Sequence, residues 1–401
     1  MLIHLHKQAT TTPKVRAAIQ ASTEPASALA ARFGTTGQTV YKWKHRDSVH
    51  DRSHTPHELQ TTLTPAQEPV AVALRRTLLV SLDDLLAVVR EFFNPEVARS
   101  GLVSLAEADD SIVTVVNDPV GSSKLGAFQA KFPDRTISMG IAEQCVVDVG
   151  AGLAHSGRIP FVSAASCFLT GRALEQVKAD IAYANFNVRL VGQSSGIAYA
   201  ELGPTHHSIK DFARLRPLTN LTVIVPADPG ETAEAVKWAA SFEGPVYIRL
   251  SRMPVPVPVL DVPNRKFRPG KAEVVRQGDD VAILACGTTV HLAVAAADLL
   301  KAKGITARVL NFSTINPLDE QALDAAAATG AIVTVEEASV RGGLGGAVSE
   351  YTASNRPVPV ERVGFAGFQP TGSLELLFKE SGLTADGIAA AARRALQRAA
   401  R

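Results

Sequence analysis

From residue 103 to the end of the chain, short apolar runs rich in β-branched residues alternate with amphipathic stretches of helical periodicity. This alternation predicts parallel strands in sheets that helices cover on both faces, which is the α/β class. The runs that we expect to form strands are 111–116, 136–139, 159–164, 188–192, 221–226, 245–250, 281–286, 307–312, 331–336 and 358–363. The helical patterns between them include 141–155, 231–241, 290–303, 319–328, 344–353 and 384–399.

A proline-rich segment divides this α/β region. In 254–270 proline stands at nearly every second position over the first half, which precludes a helix or a central strand and favours an extended linker. The sequence therefore predicts two α/β domains with parallel or mixed sheets, 103–253 and 271–401. Ahead of them we expect an all-α segment, 1–60, and a helical connecting segment, 61–102.

Composition separates the first 60 residues from the rest. The chain has 401 residues, 46% apolar and 20% charged, so wholesale disorder is excluded. Its formal net charge of +2 hides an asymmetry, because residues 1–60 contain eight Lys or Arg against four Asp or Glu. We therefore expect a basic module joined to a chemically different remainder.

The cysteines and the apolar runs bear on where in the cell the protein is expected. Cys145, Cys167 and Cys286 lie far apart and form no CxxC pattern, which argues against a disulfide framework or a zinc site. No apolar run approaches the length of about 18 residues that spans a membrane, and the N-terminus has no apolar signal core. A cytoplasmic protein without a membrane segment is the expectation.

The segment SALAARFGTTGQTVYKWKHR, 27–46, has the pattern of a helix-turn-helix. A short helix ends at Gly34, which permits a positive φ, and a second helix places Val40 and Trp43 on one face. Such a second helix enters the DNA major groove, with basic groups on phosphates and polar groups at base edges. The candidate DNA-binding residues are Gln38, Tyr41, Lys42, Lys44 and Arg46. A small helical bundle with a solvated basic face is the alternative.

The same region resembles the N-terminal part of insertion-sequence transposases. The resemblance rests on ALAARFG…TVYKWKHR and on LTPAQEPVAVALRRTLLVSLDDLLAVVREF, and it extends through about Leu102. Those enzymes carry an Asp/Asp/Glu nuclease domain further on, and here the similarity stops before it. The resemblance implies a fusion of a transposase fragment to an unrelated protein, with no transposition activity.

The most informative string of the α/β region is TISMGIAEQ, 136–144. Glu143 stands where a strand gives way to a helix, among apolar neighbours. One interpretation makes it a helix first-turn acid stabilised by the helix dipole. The other makes it a buried functional carboxylate at the carboxyl end of a parallel strand, where α/β sheets bind ligands. A buried carboxyl without a cation beside it would be able to donate a proton.

Two further strings carry candidate chemistry. In ELGPTHHSI, 201–209, a Gly-Pro turn precedes His206 and His207, and histidine is an acid, base or anion ligand near neutral pH. A surface histidine pair is the alternative. In YIRLSR, 247–252, Arg249 and Arg252 close a strand, where arginine forms either a salt bridge or a phosphate fork.

Together these strings resemble the C-terminal half of transketolase, as it occurs in bacterial two-subunit transketolases. The matching elements are VVNDPVGSSKLGAF, GIAEQ, SCFLTGRALEQVKADIAYAN, ELGPTHHSI, YIRLSR, LNFSTINPLD and EEASVRGGLGGAVSE, in order over nearly 300 residues. The family depends on thiamine diphosphate and transfers a two-carbon ketol unit between sugar phosphates. The resemblance implies that 103–253 is a pyrimidine-binding domain and that 271–401 is the transketolase C-terminal domain.

The resemblance also implies roles for single residues. Glu143 matches the glutamate that hydrogen-bonds N1′ of the aminopyrimidine and so promotes removal of the thiazolium C2 proton. Phe168, which by itself would be assigned to the core, matches an aromatic residue stacked on the pyrimidine. His206 matches a substrate-side histidine, and Arg252 matches the arginine that holds the substrate phosphate.

The sequence departs from the family pattern at two positions and lacks one family motif. Leu202 replaces a family aspartate that contacts a sugar hydroxyl, and an upstream histidine is replaced near Ser194. The chain contains no GDG followed some 25–30 residues later by Asn, the family's site for Mg²⁺ and diphosphate, so it offers no metal ligands of its own. The Gly-rich 341–348 is a weak candidate for a phosphate loop.

We therefore expect a subunit that is active only with a diphosphate- and Mg²⁺-binding partner, in a self-associating heterotetramer. The alternatives are an enzyme similar to deoxyxylulose-phosphate synthase or to the β subunit of a 2-oxo acid dehydrogenase, and a DNA-binding fusion whose α/β half is inactive.

Overall fold

The computed structural model describes residues 11–47, 101–117, 125–253, 255, 259 and 266–401. The chain divides into two compact units, with the boundary between Leu85 and Leu86. The connecting segment expected at 61–102 and most of the proline-rich linker expected at 254–270 lie outside the described residues.

The described part of the N-terminal unit, 11–47, contains three short helices, Pro13–Ala21, Ala26–Phe33 and Gly37–Lys44. The second helix ends at Gly34, which has φ 60°, so the predicted left-handed turn is present. The third begins after Thr36, whose side chain accepts the backbone N–H of Thr39. The three helices enclose a small core of Ile19, Leu29, Val40 and Trp43. This segment is helical as predicted; its assignment as a DNA-binding motif stays a prediction.

The first α/β domain is built on a seven-stranded sheet. Its strands are β1 Ile112–Val116, β2 Thr136–Ser138, β3 Ile159–Ala165, β4 Arg189–Gln193, β5 Thr222–Ile224, β6 Val246–Arg249 and β10 Thr314–Asn316. Their order in the sheet is β10-β5-β6-β4-β3-β1-β2. Every pairing is parallel except that of β10 with β5. Helices cover the sheet, so its central strands are buried on both faces.

One helix of this domain precedes β1, and the others lie between successive strands. They are Gly101–Ala108, Gly126–Lys131, Glu143–His155, Ser166–Leu169, Leu174–Gln176, Asp211–Leu215 and Pro229–Ser241, with a π-helical segment Val177–Tyr183 and 3-10 turns Pro133–Arg135 and Ala200–Leu202. Helix Glu143–His155 packs closely on β3, because a Cβ on Gly150 would lie 2.5 Å from the Val162 side chain. This close approach holds the helix that begins at Glu143 against the sheet.

The second α/β domain is built on a five-stranded sheet. Its strands are β7 Glu273–Arg276, β8 Val281–Ala285, β9 Ala307–Asn311, β11 Ile332–Ser339 and β12 Val360–Phe365. They lie in the order β12-β11-β8-β9-β7, in which β7 alone is antiparallel to its neighbour. The helices are Val290–Lys301, Glu320–Ala327, Leu344–Asn355, Leu374–Glu380 and Ala385–Ala399, with a 3-10 turn Gly287–Thr289.

The first sheet contains one strand that comes from the sequence region of the second domain, which the sequence pattern did not predict. The strand β10 follows β9 of the second domain in sequence, yet it pairs antiparallel with β5 of the first sheet. The antiparallel edge strand β7 was also not predicted. Both are short strands of three or four residues. Such strands are stabilised by pairing with the neighbouring strand, and they are too short to show a recognisable sequence pattern.

A buried ion pair lies between the two domains. Arg249, at the end of β6, donates from Nε to Oδ2 of Asp211 at 2.7 Å, and both side chains are almost fully excluded from solvent. Nη2 of Arg249 also donates to the backbone carbonyl oxygens of Ser208 at 3.3 Å and Glu337 at 2.9 Å. Burial by itself would lower the pKa of Arg249, but the carboxylates of Asp211 and Glu337 outweigh burial and raise it.

Three hydroxyl groups extend this ion pair towards the first sheet. Ser166 Oγ lies 2.7 Å from Ser208 Oγ and 2.7 Å from Tyr247 Oη, and Tyr247 donates to Asp211 Oδ2 at 3.2 Å. Burial, followed by the Asp211 carboxylate, raises the pKa of Tyr247, so the phenol keeps its proton and remains a donor. The network ties the segment after β3 to the segment after β4.

The glycine-rich segment 341–348 binds an anion that belongs to the chain itself. The carboxylate of Glu336 accepts the backbone N–H groups of Leu344 and Gly345, each at 2.8 Å, at the beginning of helix Leu344–Asn355. These are the donors that a phosphate at this helix end would use. The intramolecular carboxylate therefore explains the glycines without a phosphate.

We predict that Asp211→Ala lowers the free energy of unfolding by about 3–5 kcal/mol, because it leaves the Arg249 guanidinium buried without its carboxylate. Urea unfolding followed by circular dichroism measures the loss. The matched control is Asp279→Ala, which removes a pair with Arg308 from an aspartate whose side chain is 92% exposed, and little change is expected. Equal effects of the two variants would contradict the assignment.

Glu336 makes stability depend on pH. Burial raises the pKa of Glu336 from 4.5 to about 7, although the two N–H groups oppose the rise. The folded state therefore holds this proton more tightly than the unfolded chain, and the resulting stability is lost as pH rises from about 4.5 through about 7. We expect wild type to lose up to about 3 kcal/mol relative to Glu336→Gln between pH 4.5 and 8. A difference between the two urea midpoints that does not change with pH would contradict this.

Candidate active site

The four candidate residues follow the carboxyl ends of four parallel strands of the first sheet. Glu143 comes after β2, Phe168 after β3, His206 after β4 and Arg252 after β6. The carboxyl ends of parallel strands share one edge, and this edge is where open α/β sheets bind ligands. The topology therefore brings residues that are more than a hundred positions apart in the sequence to one side of the domain.

Glu143 is buried, as its apolar neighbours predicted. Its side chain is 3% exposed at the beginning of helix Glu143–His155, and Asn117 Nδ2 lies 3.5 Å from Oε1. A cation that was not predicted lies beside it. Nη1 of Arg172 lies 3.1 Å from Oε2 and 3.3 Å from Oε1. The conditional case, a buried carboxyl with no cation beside it, therefore does not describe this conformation.

Arg172 connects Glu143 to Phe168. Its guanidinium carbon lies 4.1 Å from the centre of the Phe168 ring, in cation–π contact, while Nη1 holds the carboxylate. Backbone geometry produces this arrangement, because the N–H of Arg172 donates to the carbonyl oxygen of Phe168 at 2.8 Å and brings the two side chains to one face. The i, i+4 spacing in CFLTGR was the available sequence signal, and it was missed.

An aromatic contact leads from Phe168 to His206. The two ring centroids are 5.2 Å apart at 74°, an edge-to-face arrangement. His206 is half-buried, and Thr205 Oγ1 lies 2.9 Å from its Nδ1. A second edge-to-face contact, at 5.7 Å, joins His206 to Tyr199.

The last contact reaches Arg252. Its guanidinium carbon lies 5.5 Å from the centre of the Tyr199 ring, and the side chain is exposed. One continuous series of contacts, which we call the site strip, is thus formed by Glu143, Arg172, Phe168, His206, Tyr199 and Arg252. The strip joins the four residues that follow the strand ends, together with Arg172 and Tyr199, which the sequence pattern did not select.

The neighbouring candidates of the same strings have internal roles. Arg249, one of two arginines considered at the end of the strand, belongs to the buried ion pair with Asp211. His207 is buried, and its Nε2 donates to the carbonyl oxygen of Ala200 at 3.1 Å. Burial lowers the pKa of His207, which favours the neutral ring that this single donor requires. His206 and His207 therefore differ in environment although they are adjacent.

The strip accommodates a planar, nitrogen-bearing group between Glu143 and Phe168. The guanidinium of Arg172 is such a group, since it is flat, stacks on the ring and donates to the carboxylate. An aminopyrimidine ring makes the same two interactions, stacking through its face and hydrogen-bonding through a ring nitrogen. The residues present therefore fit the pyrimidine part of thiamine diphosphate, provided that Arg172 moves aside.

Apolar and neutral groups surround the beginning of helix Glu143–His155 on its outer side. Ile141 is 75% exposed two residues before Glu143, and Cys145, a free thiol, is exposed two residues after it.

Across 11–47, 101–117, 125–253 and 266–401 no group of three His, Cys, Asp or Glu side chains is placed to hold a metal ion. No helix in these same ranges is long and apolar enough to cross a membrane.

The candidate DNA-binding residues all lie in the N-terminal unit, but they are not equally available. Gln38, Tyr41 and Lys42 are exposed on the third helix. Lys44 Nζ donates to the carbonyl oxygen of Glu24 at 2.7 Å, and the Arg46 guanidinium stacks 4.6 Å from the Trp43 ring. Two of the three exposed side chains also make intramolecular contacts, since the Tyr41 ring stacks on His45 at 6.3 Å and Lys42 Nζ lies 5.7 Å from the centre of the Trp43 ring.

Two family models match the α/β region. One, described as "Transketolase, pyrimidine binding domain", covers residues 95–258, and the other, "Transketolase, C-terminal domain", covers residues 270–388. Together they account for the two domains that carry the site strip and Glu337.

Several curated proteins are similar to the chain over most of this region. A subunit of the apulose-4-phosphate transketolase of Phocaeicola vulgatus is 43% identical, over 72% of this chain and 92% of its own length. A subunit of the 6-deoxy-6-sulfo-D-fructose transketolase of a Clostridium species is 41% identical, over 74% of this chain and 92% of its own length. A 1-deoxy-D-xylulose-5-phosphate synthase of Desulforudis audaxviator is 37% identical over 73% of this chain, which spans 46% of that protein.

Two solved structures are also similar. A split-gene transketolase described as an inactive beta4 tetramer superimposes with a TM-score of 0.69 at 39% identity, covering 76% of this chain and 98% of that one. A transketolase from Leishmania mexicana superimposes with a TM-score of 0.63 at 21% identity, covering 92% of this chain and 57% of that one, which supports the fold alone.

Proposed function

This chain belongs to the transketolase family as a split-gene subunit of the C-terminal type, and we propose that it transfers a two-carbon ketol unit between sugar phosphates together with a separate partner. The single observation that carries the proposal is the arrangement of Glu143 and Phe168 around a planar, hydrogen-bonding group. We expect the coenzyme to be thiamine diphosphate. When bound, it supplies a stabilised carbanion equivalent that accepts the two-carbon unit.

Glu143 would place a proton at the ring nitrogen of the coenzyme. Its burial at 3% exposure and its position in the first turn of a helix hold the carboxyl in one orientation. Arg172 contacts both oxygens of this carboxyl here, so a ring nitrogen can hydrogen-bond to it only when Arg172 moves away. Phe168 would then receive the ring on the face that the guanidinium occupies here.

His206 and Arg252 would act on the substrate. His206 contacts Phe168 edge to face and would hydrogen-bond hydroxyl groups of a sugar substrate. Arg252, exposed beyond Tyr199, would hold the terminal anionic group. The two transketolase relatives named above have substrates with a phosphate or a sulfonate, and an arginine fork accepts either group.

The diphosphate of the coenzyme and its Mg²⁺ require a partner subunit in this proposal. Such a partner would cover Ile141, which is 75% exposed two residues before Glu143. We infer a cytoplasmic assembly in which two copies of this chain join two diphosphate-binding subunits. The two-domain division at 103–253 and 271–401 belongs to the same proposal.

The transketolase assignment is favoured over a deoxyxylulose-phosphate synthase. The chain spans nearly all of the named transketolase subunits but less than half of the named synthase. A complex that condenses pyruvate rather than transferring a ketol unit would reverse this choice. A β subunit of a 2-oxo acid dehydrogenase would be recognised by decarboxylation of a 2-oxo acid that reduces an added electron acceptor such as ferricyanide.

We predict that Glu143→Gln lowers kcat of the reconstituted complex by about a hundredfold or more, because an amide cannot share its proton in the same way. The assay contains the full chain, a diphosphate-binding subunit of a split transketolase, thiamine diphosphate and Mg²⁺. The matched control is Glu175→Gln, an exposed carboxyl paired with Lys178, which should retain wild-type turnover. Full turnover by Glu143→Gln in an assembled complex would refute the assignment.

DNA binding by the N-terminal unit is a second candidate function, and it stays a prediction. It is favoured by Gln38, Tyr41 and Lys42, which are exposed on the helix that follows the Gly34 turn. The resemblance of residues 1–102 to a transposase fragment belongs to the same hypothesis.

We predict that the full chain binds a random-sequence duplex in a salt-dependent manner and that Lys42→Ala reduces the slope of log K against log[salt] by about one. Lys303→Ala removes an exposed basic group from the α/β region and serves as the control, with no change in slope. Fluorescence anisotropy at several salt concentrations measures both. Salt-independent or undetectable binding by the wild-type chain would contradict the hypothesis.

A further inference from the structure

Glu337 reaches from the second α/β domain to the loop that carries His206. It lies on β11, is 1% exposed, and its Oε1 accepts the backbone N–H of Ile197 at 2.9 Å. Its other oxygen, Oε2, accepts the hydroxyl of Thr288 at 2.7 Å. Both oxygens are thus engaged by fixed donors, and the carboxylate spans the boundary between the domains.

The loop held by Glu337 is closed at its base. The N–H of Gly196 donates to the carbonyl oxygen of Ser208 at 3.1 Å, and the N–H of Ser208 donates back at 2.7 Å. His206 lies inside this loop, two residues before it closes. Because only His207 lies between His206 and Ser208, a displacement of the loop base near Ile197 would also displace His206.

The carboxylate and the loop approach each other too closely for a side chain to intervene. Gly196 has φ +66°, and a Cβ built there would lie 2.0 Å from Oε1 of Glu337. Only glycine permits both this torsion and this approach. The geometry at Gly196 and the glutamate at 337 are therefore matched to each other.

Two other contacts place β11 against the far end of the same loop. Arg249 bridges the carbonyl oxygens of Glu337 and Ser208, and the N–H of Ser339 donates to the carbonyl oxygen of Ile209 at 2.7 Å. One strand of the second domain thus holds both ends of the loop. The side chain of Glu337 is the contact to its beginning.

We propose that Glu337 is a positioning residue for His206 and that the second α/β domain acts on substrate recognition through this carboxylate. The inference rests on the function proposed for His206. The adjacent Glu336 is equally buried but accepts the N–H groups of Leu344 and Gly345 instead, because successive side chains of a strand face opposite ways. The chain therefore provides a matched carboxylate, one position away, that does not touch the loop.

The test compares Glu337→Gln with Glu336→Gln in the full chain reconstituted with a diphosphate-binding subunit, thiamine diphosphate and Mg²⁺. A glutamine keeps the size of the side chain but has one acceptor oxygen where the glutamate has two. Either Ile197 or Thr288 then loses its acceptor. Hydrogen–deuterium exchange followed by mass spectrometry reports on 195–209 and on 343–348 without any need for turnover.

We expect Glu337→Gln to speed exchange in 195–209 about tenfold and to leave 343–348 unchanged, with the opposite pattern for Glu336→Gln. In kinetics, Glu337→Gln should raise KM for the sugar phosphate about five- to tenfold while kcat changes less than about twofold. The dissociation constant of thiamine diphosphate should stay at its wild-type value, since Glu143 and Phe168 follow other strands.

A smaller change keeps the proposal testable if Glu337→Gln does not fold. Thr288→Val removes one donor to the carboxylate, and we expect the same direction of change in exchange and in KM, about threefold in size.

Unchanged exchange in 195–209 in both Glu337→Gln and Thr288→Val would overturn the proposal, as would equal losses of substrate and coenzyme affinity. If the wild-type complex transfers no ketol unit, the proposed function fails, but the exchange pattern still decides whether Glu337 anchors the loop.

Discussion

The ion pair between Arg249 and Asp211 is the interaction on which the rest of the α/β region depends. A guanidinium excluded from water must have its charge and its donors satisfied, and here Asp211 provides the charge while Ser208 and Glu337 provide carbonyl oxygens. These partners belong to two segments of the chain, 208–211 in the first domain and β11 in the second. The requirement to satisfy one buried cation therefore fixes the positions of both domains and of the loop that carries His206.

The site strip brings together a buried carboxylate and an aromatic ring face. Glu143 and Phe168 present a carboxylate and a ring face that suit a flat heterocycle, and in this structure the chain's own Arg172 makes both interactions. A buried carboxylate without a partner would carry the full cost of desolvation, so an internal cation stabilises the uncomplexed subunit. In the function proposed above, this pairing breaks when the coenzyme binds.

The elements that the sequence pattern predicted and those that it missed differ in physical character. Buried parallel strands such as β1 and β8 are recognisable, because burial on both faces requires continuous β-branched runs. The short antiparallel strands β7 and β10 have no such requirement. Glu143 was found because motif and strand end coincide there, whereas Arg172 was missed because its meaning depends on the direction of a single side chain.

The sequence alone determined the class of fold, the helical character of residues 14–44, the transketolase family and the four residues that follow the strand ends. Periodicity and motif order carry that information because burial acts on every residue of an element. Only the tertiary structure decided that Arg172 pairs with Glu143, that β10 crosses to the first sheet and that Glu337 touches the His206 loop. These are contacts between segments distant in sequence, or between single side chains, and no local pattern records which partner will be near.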